Sequence, residues 1–474
     1  MIYNRQRLFP ALSFAAPTVH GLSWEAQQAL AECVAQWAQH YSRNVERVLY
    51  LDMKNHLKDL AVSIPPELLG DLDVTSGWPA KAVYELANRI VFERVASHDS
   101  KDRDPFGLMS LLDENRFAME FPQAVASSLA QSVAFGTVTK GDAAQGEPEV
   151  LFTFHSALWA TGIWNRRTRA LKYGLIINDI DRLGHPTMMT LLMPGETVVI
   201  AKGAAWYVSD VYPSPMAHRI PMEPLPFRPT LERPFGRSRI DRTVMSLTDR
   251  AMRASARLEV HSELFSAIKL ILMGAGADAF QDASGQPIPL WSFYMGRLNT
   301  LTKDEDGDLP QLEQISSQSP EPHIAVKRQL ATEFSGHTGV PLGSLGIATD
   351  NPESGDAKKE AREDIYGDAE AQGTVYGFAL KRLFESAVML RDGLSEPPRE
   401  MKVLQTQWRD ASRPTRVALA AAGAQQVAAV PGLAETEVGL ELIGLDAGQI
   451  ERYLAEKRGR GGSPTPVDAP GRTA

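Results

Sequence analysis

An amphipathic helix, a loop of small residues and a second charged helix follow one another in EPHIAVKRQLATEFSGHTGVPLGSLGIATDNPESGDAKKEA, residues 321–361. The loop begins near Val340, and its glycines and prolines are poorly suited to a buried core. Glycine populates backbone conformations that are closed to other residues, so this loop can change shape. These residues alone leave open whether the loop holds a phosphate, as in an enzyme, or is a plain surface turn.

Long helices are predicted on both sides of this loop. Residues 241–273 have the longest helical period, and a helix of this length measures about 50 Å at ~1.5 Å per residue. The helix after the loop is predicted over 354–392, although Gly367, Gly373 and Gly377 interrupt it. Because each interior glycine costs about 1 kcal/mol relative to alanine, a kink or a close helix neighbour is expected there. The apolar stripe of the first helix consists of Leu247, Ala251, Ala254, Leu258, His261, Phe265, Ile268 and Leu272.

The N-terminal half combines helices with a β-rich region. A helix is predicted over 22–60, and another begins at Trp78 with a proline in its first turn. Between 130 and 225, short β-branched or aromatic runs alternate with turn residues, which predicts strands. The proline-dense segment 220–240, IPMEPLPFRPTLERPFGRSRI, is expected to be a stiff extended link, because proline fixes the backbone and removes amide donors. The predicted fold class is α+β, and residues 413–457 are predicted to be helical again.

The composition is that of an ordinary globular protein. The 474 residues, 43% hydrophobic and 23% charged, are enough for several domains. With 49 basic and 58 acidic residues, the net charge of -9 argues against a protein that holds nucleic acid tightly over a wide basic face. A single cysteine, Cys33, excludes an intrachain disulfide. Because neither a secretory signal nor a membrane-spanning run is found, a cytoplasmic, soluble protein is expected.

Motifs of catalysis and cofactor binding are absent or incomplete. GAGADA, residues 274–279, matches a dinucleotide-binding fingerprint, but the residues before it have a helical period and no helix is predicted after it. GSLG, residues 343–346, lacks the glycine two residues before the serine that a nucleophile elbow needs. Walker A, HExxH and zinc-ligand patterns do not occur. No catalytic residue, metal ligand or cofactor is therefore predicted.

Several polar groups are better explained by structure than by chemistry. The acidic run KDEDGD, residues 303–308, lacks the glutamate at the twelfth position of a calcium loop and is interpreted as a solvated turn. His155 in a predicted strand and His261 on a helix stripe are expected to have structural roles. The basic patch NRRTRA, residues 165–170, is expected to be an exposed connection between strands.

The order of these elements resembles the portal proteins of tailed double-stranded-DNA bacteriophages, specifically those of long-tailed phages of actinobacteria. The most specific part of the resemblance is the combination of the connector RPFGRSRI, residues 233–240, with the Gly-Val-Pro loop and the run DNPES, residues 350–354. The resemblance spans most of the chain in the expected order. The other segments that carry it are NRIVFERV (88–95), LWATGIWNRRTRALKYGL (158–175), residues 319–361 and WRDASRPT (408–415).

The resemblance implies a phage portal fold, in which the subunits assemble as a ring of twelve. Each region of this fold corresponds to a segment of the chain. Residues 1–240 would be the wing, 241–273 the first stem helix, 274–319 a small β clip, 320–339 the second stem helix, 340–355 the tunnel loop, 356–394 a long wing helix, 395–458 the helical crown and 459–474 a disordered tail.

The resemblance also implies which residues act. The tunnel loop would project into the channel, where its lack of positive charge would let DNA slide past. Cations of the stem helices would face the channel or the neighbouring subunit, and clip residues would dock partners. The loop residues are Leu342, Gly343, Ser344, Leu345, Gly346, Ile347, Thr349, Asp350, Asn351 and Glu353; the stem cations are Arg250, Arg253, Arg257, Lys327 and Arg328; the clip residues are Trp291, Tyr294, Arg297, Lys303, Asp304 and Glu305.

The function implied by the resemblance is a non-enzymatic channel for packaging and ejecting double-stranded DNA, which contacts the DNA without sequence preference. Its implied partners are the terminase large subunit, then the head–tail adaptor, and the major capsid and scaffold proteins. Its implied location is the portal vertex of the virion, with the host cytoplasm during assembly, and no membrane or cofactor is involved. The alternative is a cytoplasmic nucleotide-binding enzyme that uses the GAGADA turn and forms a small oligomer.

Overall fold

The computed structural model describes residues 14–58, 64, 72–97, 104–266, 269–273, 286, 311–315, 318–347, 362–445 and 447–460. The chain divides into two compact units, Met1–Gln407 and Trp408–Ala474. Helices and sheets are mixed, as the periodicity predicts. The GAGADA turn, the acidic run 303–308 and residues 461–474 of the predicted tail lie outside the described residues.

Helices and strands up to residue 408 are numbered here in chain order. The helices are α1 (Trp24–Leu51), α2 (Trp78–Ala87), α3 (Leu108–Glu114), α4 (Phe117–Gln131), α5 (Arg242–Ser266), α6 (Glu321–Thr338) and α7 (Glu363–Asp392). The strands are β1 (Phe92–Ser97), β2 (Val133–Lys140), β3 (Val150–Ser156), β4 (Ala160–Asn165), β5 (Ala170–Ile180), β6 (Pro186–Met193), β7 (Glu196–Lys202), β8 (Trp206–Pro213), β9 (Met222–Pro226), β10 (Lys269–Met273), β11 (Gln311–Ile315) and β12 (Leu404–Trp408).

Helix α1 packs against a five-stranded antiparallel sheet with the order β4-β5-β6-β7-β8. Alternate side chains of a strand lie on the same face of a sheet, and here one face is apolar. Leu191 of β6 and Ile200 of β7 belong to the same buried cluster as Leu30, Cys33 and Trp37 of α1. The β-rich region is therefore confirmed, whereas the predicted helix over 22–60 ends earlier, at Leu51.

A second core lies between helices α4 and α7 and the three-stranded sheet β3-β2-β9. Aromatic rings fill it: Phe117 stacks on Phe121 at 5.1 Å between ring centroids, and Phe154 contacts Phe117 edge-on at 5.6 Å. Helix α7 approaches β2 closely, because a Cβ atom at Gly136 would lie 2.9 Å from Cδ2 of Leu383. This core holds the longest helix of the unit against the second sheet.

The proline-dense segment 220–240 is not the stiff extended link predicted from its composition. Its first part is strand β9, paired with β2, and Phe227 is buried with its amide donating to the carbonyl of Ser132 at 2.8 Å. The amide of Arg239 donates to the carbonyl of Leu129 at 2.7 Å. Prolines are tolerated in β9 because it is an edge strand, where one side of the backbone needs no ladder partner.

The helix predicted over 241–273 is wrong in its last part. Helix α5 ends at Ser266, and Lys269–Met273 forms strand β10, antiparallel to β11. A short apolar run such as KLILM does not distinguish a helix from a strand, and its partner strand lies far along the chain. Helix α6 is confirmed, and Gly339 ends it with a φ of +69°.

Helix α7 is continuous from Glu363 to Asp392, without the kink that its glycines suggested. Gly373 and Gly377 are buried in the helix, which contacts β2, β9 and α2. Gln372 Nε2 donates to the carbonyl of Pro226 at 2.8 Å. The part of the predicted helix before Arg362 lies outside the described residues.

The smaller unit, Trp408–Ala474, begins later than the predicted crown boundary at 395. Residues 395–407 belong to the larger unit, since β12 pairs with β1. The helices of the smaller unit are α8 (Arg416–Ala429), α9 (Glu437–Leu442) and α10 (Ala447–Arg460). Thr415 caps α8 by accepting from the amide of Ala418. Helix α10 includes residues 459 and 460 of the predicted disordered tail.

His155 has the structural role predicted for it, and it makes the stability of the fold depend on pH. It lies on β3, where Nε2 is 3.2 Å from the hydroxyls of Thr137 and Thr153. Burial lowers the pKa of His155 from 6.5 to about 4. Between pH 6.5 and pH 4, His155 is therefore protonated in the unfolded chain and neutral in the folded chain. This contribution to stability is present above pH 6.5 and is lost as the pH falls towards 4.

We expect the wild-type protein to lose about 2–3 kcal/mol more unfolding free energy than His155→Gln between neutral pH and pH 4, because glutamine does not titrate. Urea unfolding at a series of pH values measures the difference. His218→Gln, at an exposed histidine, is the control and should follow the wild type. Identical pH profiles of wild type and His155→Gln would contradict the assignment.

Candidate functional site

Helices α5 and α6 run side by side in opposite directions and form a helix hairpin. At its base, His337 Nε2 donates to Asp241 Oδ2 at 2.8 Å. At its far end, His261 Nε2 donates to the carbonyl of Gln318 at 2.9 Å, which gives His261 the structural role predicted for it. The antiparallel strands β10 and β11 continue the two helices beyond this end. The hairpin therefore carries the strand pair away from its base.

The far half of the helix hairpin presents apolar side chains on its surface. Leu264 of α5 is 48% exposed and Val326 of α6 is 51% exposed, and Ile324 is also exposed. The buried residues of α6 are all in its second half, from Leu330 onwards. These three apolar side chains are thus open to solvent in the single chain and could be covered by a partner.

Arg239 fixes the base of the helix hairpin to the rest of the unit. Its side chain is buried and donates to the carbonyls of Ala82 on α2 and Thr338 on α6. It also lies 3.5 Å from Asp368 of α7, which pairs with Arg228 as well. Burial lowers the pKa of Arg239 to about 10, and the nearby carboxylate opposes this effect. The guanidinium of Arg239 therefore links the segment 233–240 to the three helices α2, α6 and α7.

A second buried charge network fastens α7 to β9. Glu223 is buried and accepts from Arg382 Nε at 2.9 Å, with Arg219 at 3.6 Å. Arg219 also pairs with Glu385 at 3.0 Å. Burial raises the pKa of Glu223, while the two arginines act in the opposite direction. Ion pairs between residues 159 and 166 positions apart in the chain thus hold helix α7 against β9.

A basic cavity of about 1430 Å³ opens between α1, strand β4 and the segment 227–242. Ten arginine or lysine side chains and four carboxylates line it. Arg47 is the most enclosed of its α1 cations: Nη1 donates to Asn44 Oδ1 at 3.1 Å and to the carbonyl of Gln131 at 3.3 Å. Burial first, and then Arg43, lowers the pKa of Arg47 to about 10. The buried Oε1 of Gln131 has no hydrogen-bond partner.

The first half of the predicted tunnel loop is folded onto the unit. Leu342–Leu345 forms a 3₁₀ turn, in which the amide of Ser344 donates to the carbonyl of Pro341 at 2.9 Å. Leu345 is buried, so its side chain is not available to a ligand in this chain, whereas Gly343 and Gly346 are exposed and Ile347 is half-buried. Thr349, Asp350, Asn351 and Glu353 lie outside the described residues.

The predicted stem cations have different environments. Arg250 Nη1 lies 3.1 Å from Glu333 Oε2, so it is paired within its own chain, and Arg253 donates to the carbonyl of Lys58 at 2.9 Å. Nε of Arg257 is buried without a hydrogen-bond partner. Lys327 is half-buried and Arg328 is exposed. Of these five residues, Arg253 lines the basic cavity.

The predicted clip residues Trp291, Tyr294, Arg297, Lys303, Asp304 and Glu305 all lie outside the described residues. The GAGADA turn does as well, but the structure corrects one premise about it. The residues before it form strand β10 and have no helical structure. That strand pairs antiparallel with β11, whereas a dinucleotide fingerprint belongs to a parallel βαβ unit.

Within the described ranges, no group of three or more His, Cys, Asp or Glu side chains could hold a metal ion. Among the same residues, no helix combines the length and apolarity needed to cross a membrane. Burial raises the pKa of the Cys33 thiol to about 12, so this thiol is not a ready nucleophile.

Sequence reasoning missed both the Arg239 anchor and the basic cavity. Two signals were present: four arginines in the ten residues 233–242, and Arg43 with Arg47 one helical turn apart on α1. Neither signal states that the two segments meet, because they are almost 200 positions apart in the chain. The exposed connection predicted at 165–170 is confirmed as the turn between β4 and β5, and its Arg166 also lines the cavity.

Comparison with known proteins gives two curated relatives, both named portal protein. The chain is 24% identical over 386 residues to the portal protein of Mycobacterium phage L5. This alignment covers 78% of this chain and 76% of the relative. The chain is 28% identical over 203 residues to the portal protein of Mycobacterium phage D29. This alignment covers 42% of this chain and 40% of the relative. No protein-family model matches the chain.

Solved structures with a similar arrangement include two necks of GTA particles. "Neck of native GTA particle computed with C12 symmetry" aligns with a TM-score of 0.44 and 14% identity over 84% of this chain and 98% of the other. "Neck of empty GTA particle computed with C6 symmetry" aligns with a TM-score of 0.43 and 14% identity, over 87% of this chain and 93% of the other. The resemblance inferred from the sequence is confirmed by the curated relatives: this chain is similar to the portal protein of Mycobacterium phage L5 over most of its length, and to that of phage D29 over a shorter part.

Proposed function

We propose that this chain is the structural portal of a tailed-phage capsid, a ring-shaped channel through which double-stranded DNA is packaged and ejected. The observation that carries the proposal is the alignment of 386 residues with a curated portal protein. This alignment covers 76% of that protein. An alignment of that extent includes both the sheets and the helix hairpin of the larger unit. The function therefore concerns the whole architecture and not one motif.

The described elements fit the regions of a portal subunit. We assign the sheets and helices before residue 240 to the wing, the helix hairpin α5–α6 to the stem, and the segment that includes β10 and β11 to the clip. Helix α7 returns to the wing, and the smaller unit from Trp408 is the crown. We propose that the stem helix ends at Ser266, where α5 ends, and that the crown begins at Trp408, where the smaller unit begins.

The exposed apolar side chains of the helix hairpin support assembly into a ring, which we propose contains twelve subunits. Leu264 and Val326 are about half exposed in the single chain. Apolar surface of this kind is typical of protein contacts. A closed ring buries the same surface on every subunit, because each copy offers one side to the next.

Residues 340–355 are proposed to line the channel as the tunnel loop. Among its described residues, Gly343 and Gly346 are exposed and could approach DNA without a side chain, whereas Leu345 anchors the 3₁₀ turn. The carboxylates Asp350 and Glu353 would keep the loop from binding phosphates, so the duplex could slide. Arg328 on α6 is the exposed stem cation that remains a candidate for a channel or subunit contact.

As a portal, the chain would be located at the portal vertex of the virion and, during assembly, in the host cytoplasm. The terminase large subunit and later the head–tail adaptor would bind at the clip, and the major capsid and scaffold proteins would surround the ring. Both curated relatives are named portal protein, and we propose no enzymatic activity for this chain. The alternative, a nucleotide-binding enzyme that uses residues 274–279, has no support from them.

The mass of the purified protein tests the proposal. We expect native mass spectrometry to find a species of about twelve chains of 52.0 kDa, with a central hole in negative-stain images. In a complementation assay, phage particles should incorporate the chain at one vertex and package DNA only when it is present. ATP and NAD serve as probes of the alternative. Stoichiometric binding of either one by a monomer or dimer, without incorporation into particles, would reject the portal function.

A further inference from the structure

The basic cavity has too few counterions for its charges. The lining residues comprise ten cationic side chains and four carboxylates, a formal excess of six positive charges, although the whole chain has a net charge of -9. Asp368, which does not line the cavity, pairs with Arg228 and Arg239 and reduces this excess to five. Closely placed guanidinium groups repel one another, and partial burial strengthens this repulsion. The cavity is therefore suited to an anionic occupant.

Six of the arginines that line the cavity form no salt bridge with a carboxylate among the residues that the structure describes, although Glu46 and Asp241 act on Arg47 at longer range. Five of them are exposed at its rim, and one, Arg47, is half-buried. These six arginines are Arg43, Arg47, Arg166, Arg233, Arg237 and Arg242. Planar guanidinium groups bind carboxylates with two parallel hydrogen bonds, so a segment with several carboxylates would satisfy them.

An acidic surface of this kind lies elsewhere on the same unit. The loop between β2 and β3, residues 141–149, exposes Asp142, Glu147 and Glu149. Helix α3 adds the exposed carboxylates of residues 113 and 114, and Asn115 joins the two segments: its Nδ2 donates to the carbonyl of Val150 at 2.8 Å. We name these five carboxylates the acidic edge. The cations nearby are Lys140, the exposed Arg116 and Arg391, which is paired with Asp392 and also interacts with Glu149.

The basic cavity and the acidic edge lie at opposite ends of one strand. Gln131, Ser132 and Val133, at the start of β2, line the cavity, whereas the loop with the acidic edge follows Lys140 at the end of the strand. Eight residues of strand separate them by about 26 Å at ~3.3 Å per residue. Because the strand holds the two surfaces apart, they do not meet within one chain. They can meet when identical copies associate head to tail.

We infer that the basic cavity is one half of a subunit contact and receives the acidic edge of a second copy of this chain. The inference rests on the proposed ring, since it assigns the charges that orient neighbouring subunits. A duplex is a less suitable occupant. It binds cations spread along its phosphates, whereas these cations line a concavity of about 1430 Å³ on a chain that is acidic overall.

Charge reversal tests this contact. Arg233→Glu with Arg237→Glu changes the cavity, and Glu147→Arg with Glu149→Arg changes the acidic edge. Each double variant should weaken ring formation about 10- to 100-fold in sedimentation velocity experiments at constant salt. Combining all four changes should restore assembly to within roughly tenfold of the wild type, because opposite charges again face each other. Arg182→Glu, at an exposed turn away from both surfaces, is the control and should assemble normally.

These side chains are exposed, so the variants should melt within a few degrees of the wild type by circular dichroism. If both double variants form rings as the Arg182→Glu control does, or if the fourfold variant assembles no better than either of them, the inference is overturned while the portal function stands. If the wild type forms no ring at any salt concentration, the inference also fails. Incorporation into particles then decides the portal function separately.

Discussion

Arg239→Ala is expected to lower the free energy of unfolding by about 3–5 kcal/mol, because it removes a buried charge that serves several buried acceptors. The guanidinium donates to the carbonyls of Ala82 and Thr338, and both would lose their partner. Asp368 would keep only Arg228. Urea denaturation followed by tryptophan fluorescence measures the loss, since the ring of Trp78 lies 5.2 Å from that of Phe334 near this point.

Two further variants separate the role of Arg239 from a general loss of charge. Arg233→Ala removes an exposed arginine of the same segment and should change the unfolding free energy by less than about 0.5 kcal/mol. Arg239→Lys keeps the charge but lacks the planar fork that reaches two carbonyls, so an intermediate loss is expected. A loss below about 1 kcal/mol in Arg239→Ala would show that this residue does not anchor the helix hairpin.

Gly236→Ala is expected to destabilise the protein by about 3 kcal/mol or more through backbone strain and a steric clash. Gly236 has a φ of +71°, a conformation that side-chain-bearing residues rarely adopt. A Cβ atom there would collide with the carbonyl oxygen of Phe227 and lie 2.8 Å from its carbonyl carbon. Phe227 cannot move away easily, because it is buried and its carbonyl accepts from the amide of Arg237 at 2.8 Å.

Gly343→Ala is the matched control for this substitution. A Cβ atom at Gly343 would have no neighbour within 4 Å, and its φ is not positive. We therefore expect the unfolding free energy of Gly343→Ala to stay within about 1 kcal/mol of the wild type. Equal midpoints of urea unfolding for the two alanine variants would refute the role assigned to Gly236. Because Gly236 precedes Arg237, its substitution should also weaken the subunit contact inferred above.

The sequence predicted individual elements well where the signal was local. Helix α6 was found within one or two residues, because its apolar period, its first-turn proline and Gly339 all lie within twenty positions. The strands between residues 130 and 225 were recognisable from alternation and turn residues. Strand β10 was taken for the end of a helix, since its pairing with β11 depends on residues some forty positions away.

The candidate site was less predictable than the elements. The predicted stem cation Arg250 is paired with Glu333 of its own chain, and Leu345 of the predicted loop is buried. Both outcomes depend on which helix faces which neighbour. The residues with the most consequential contacts, Arg239 and Glu223, were not selected from the sequence at all, because a charged residue in a loop or strand is usually exposed.

By itself the sequence determined the class of protein: its helices, its β-rich region and the order of segments that resembles phage portal proteins. These properties depend on local periodicity and on motifs that are contiguous in the chain. The tertiary structure was needed to show that six arginines from three separate segments share one cavity, and that an acidic edge lies at the other end of strand β2. Charge interactions act through space, so distance in the chain carries no information about which charges meet.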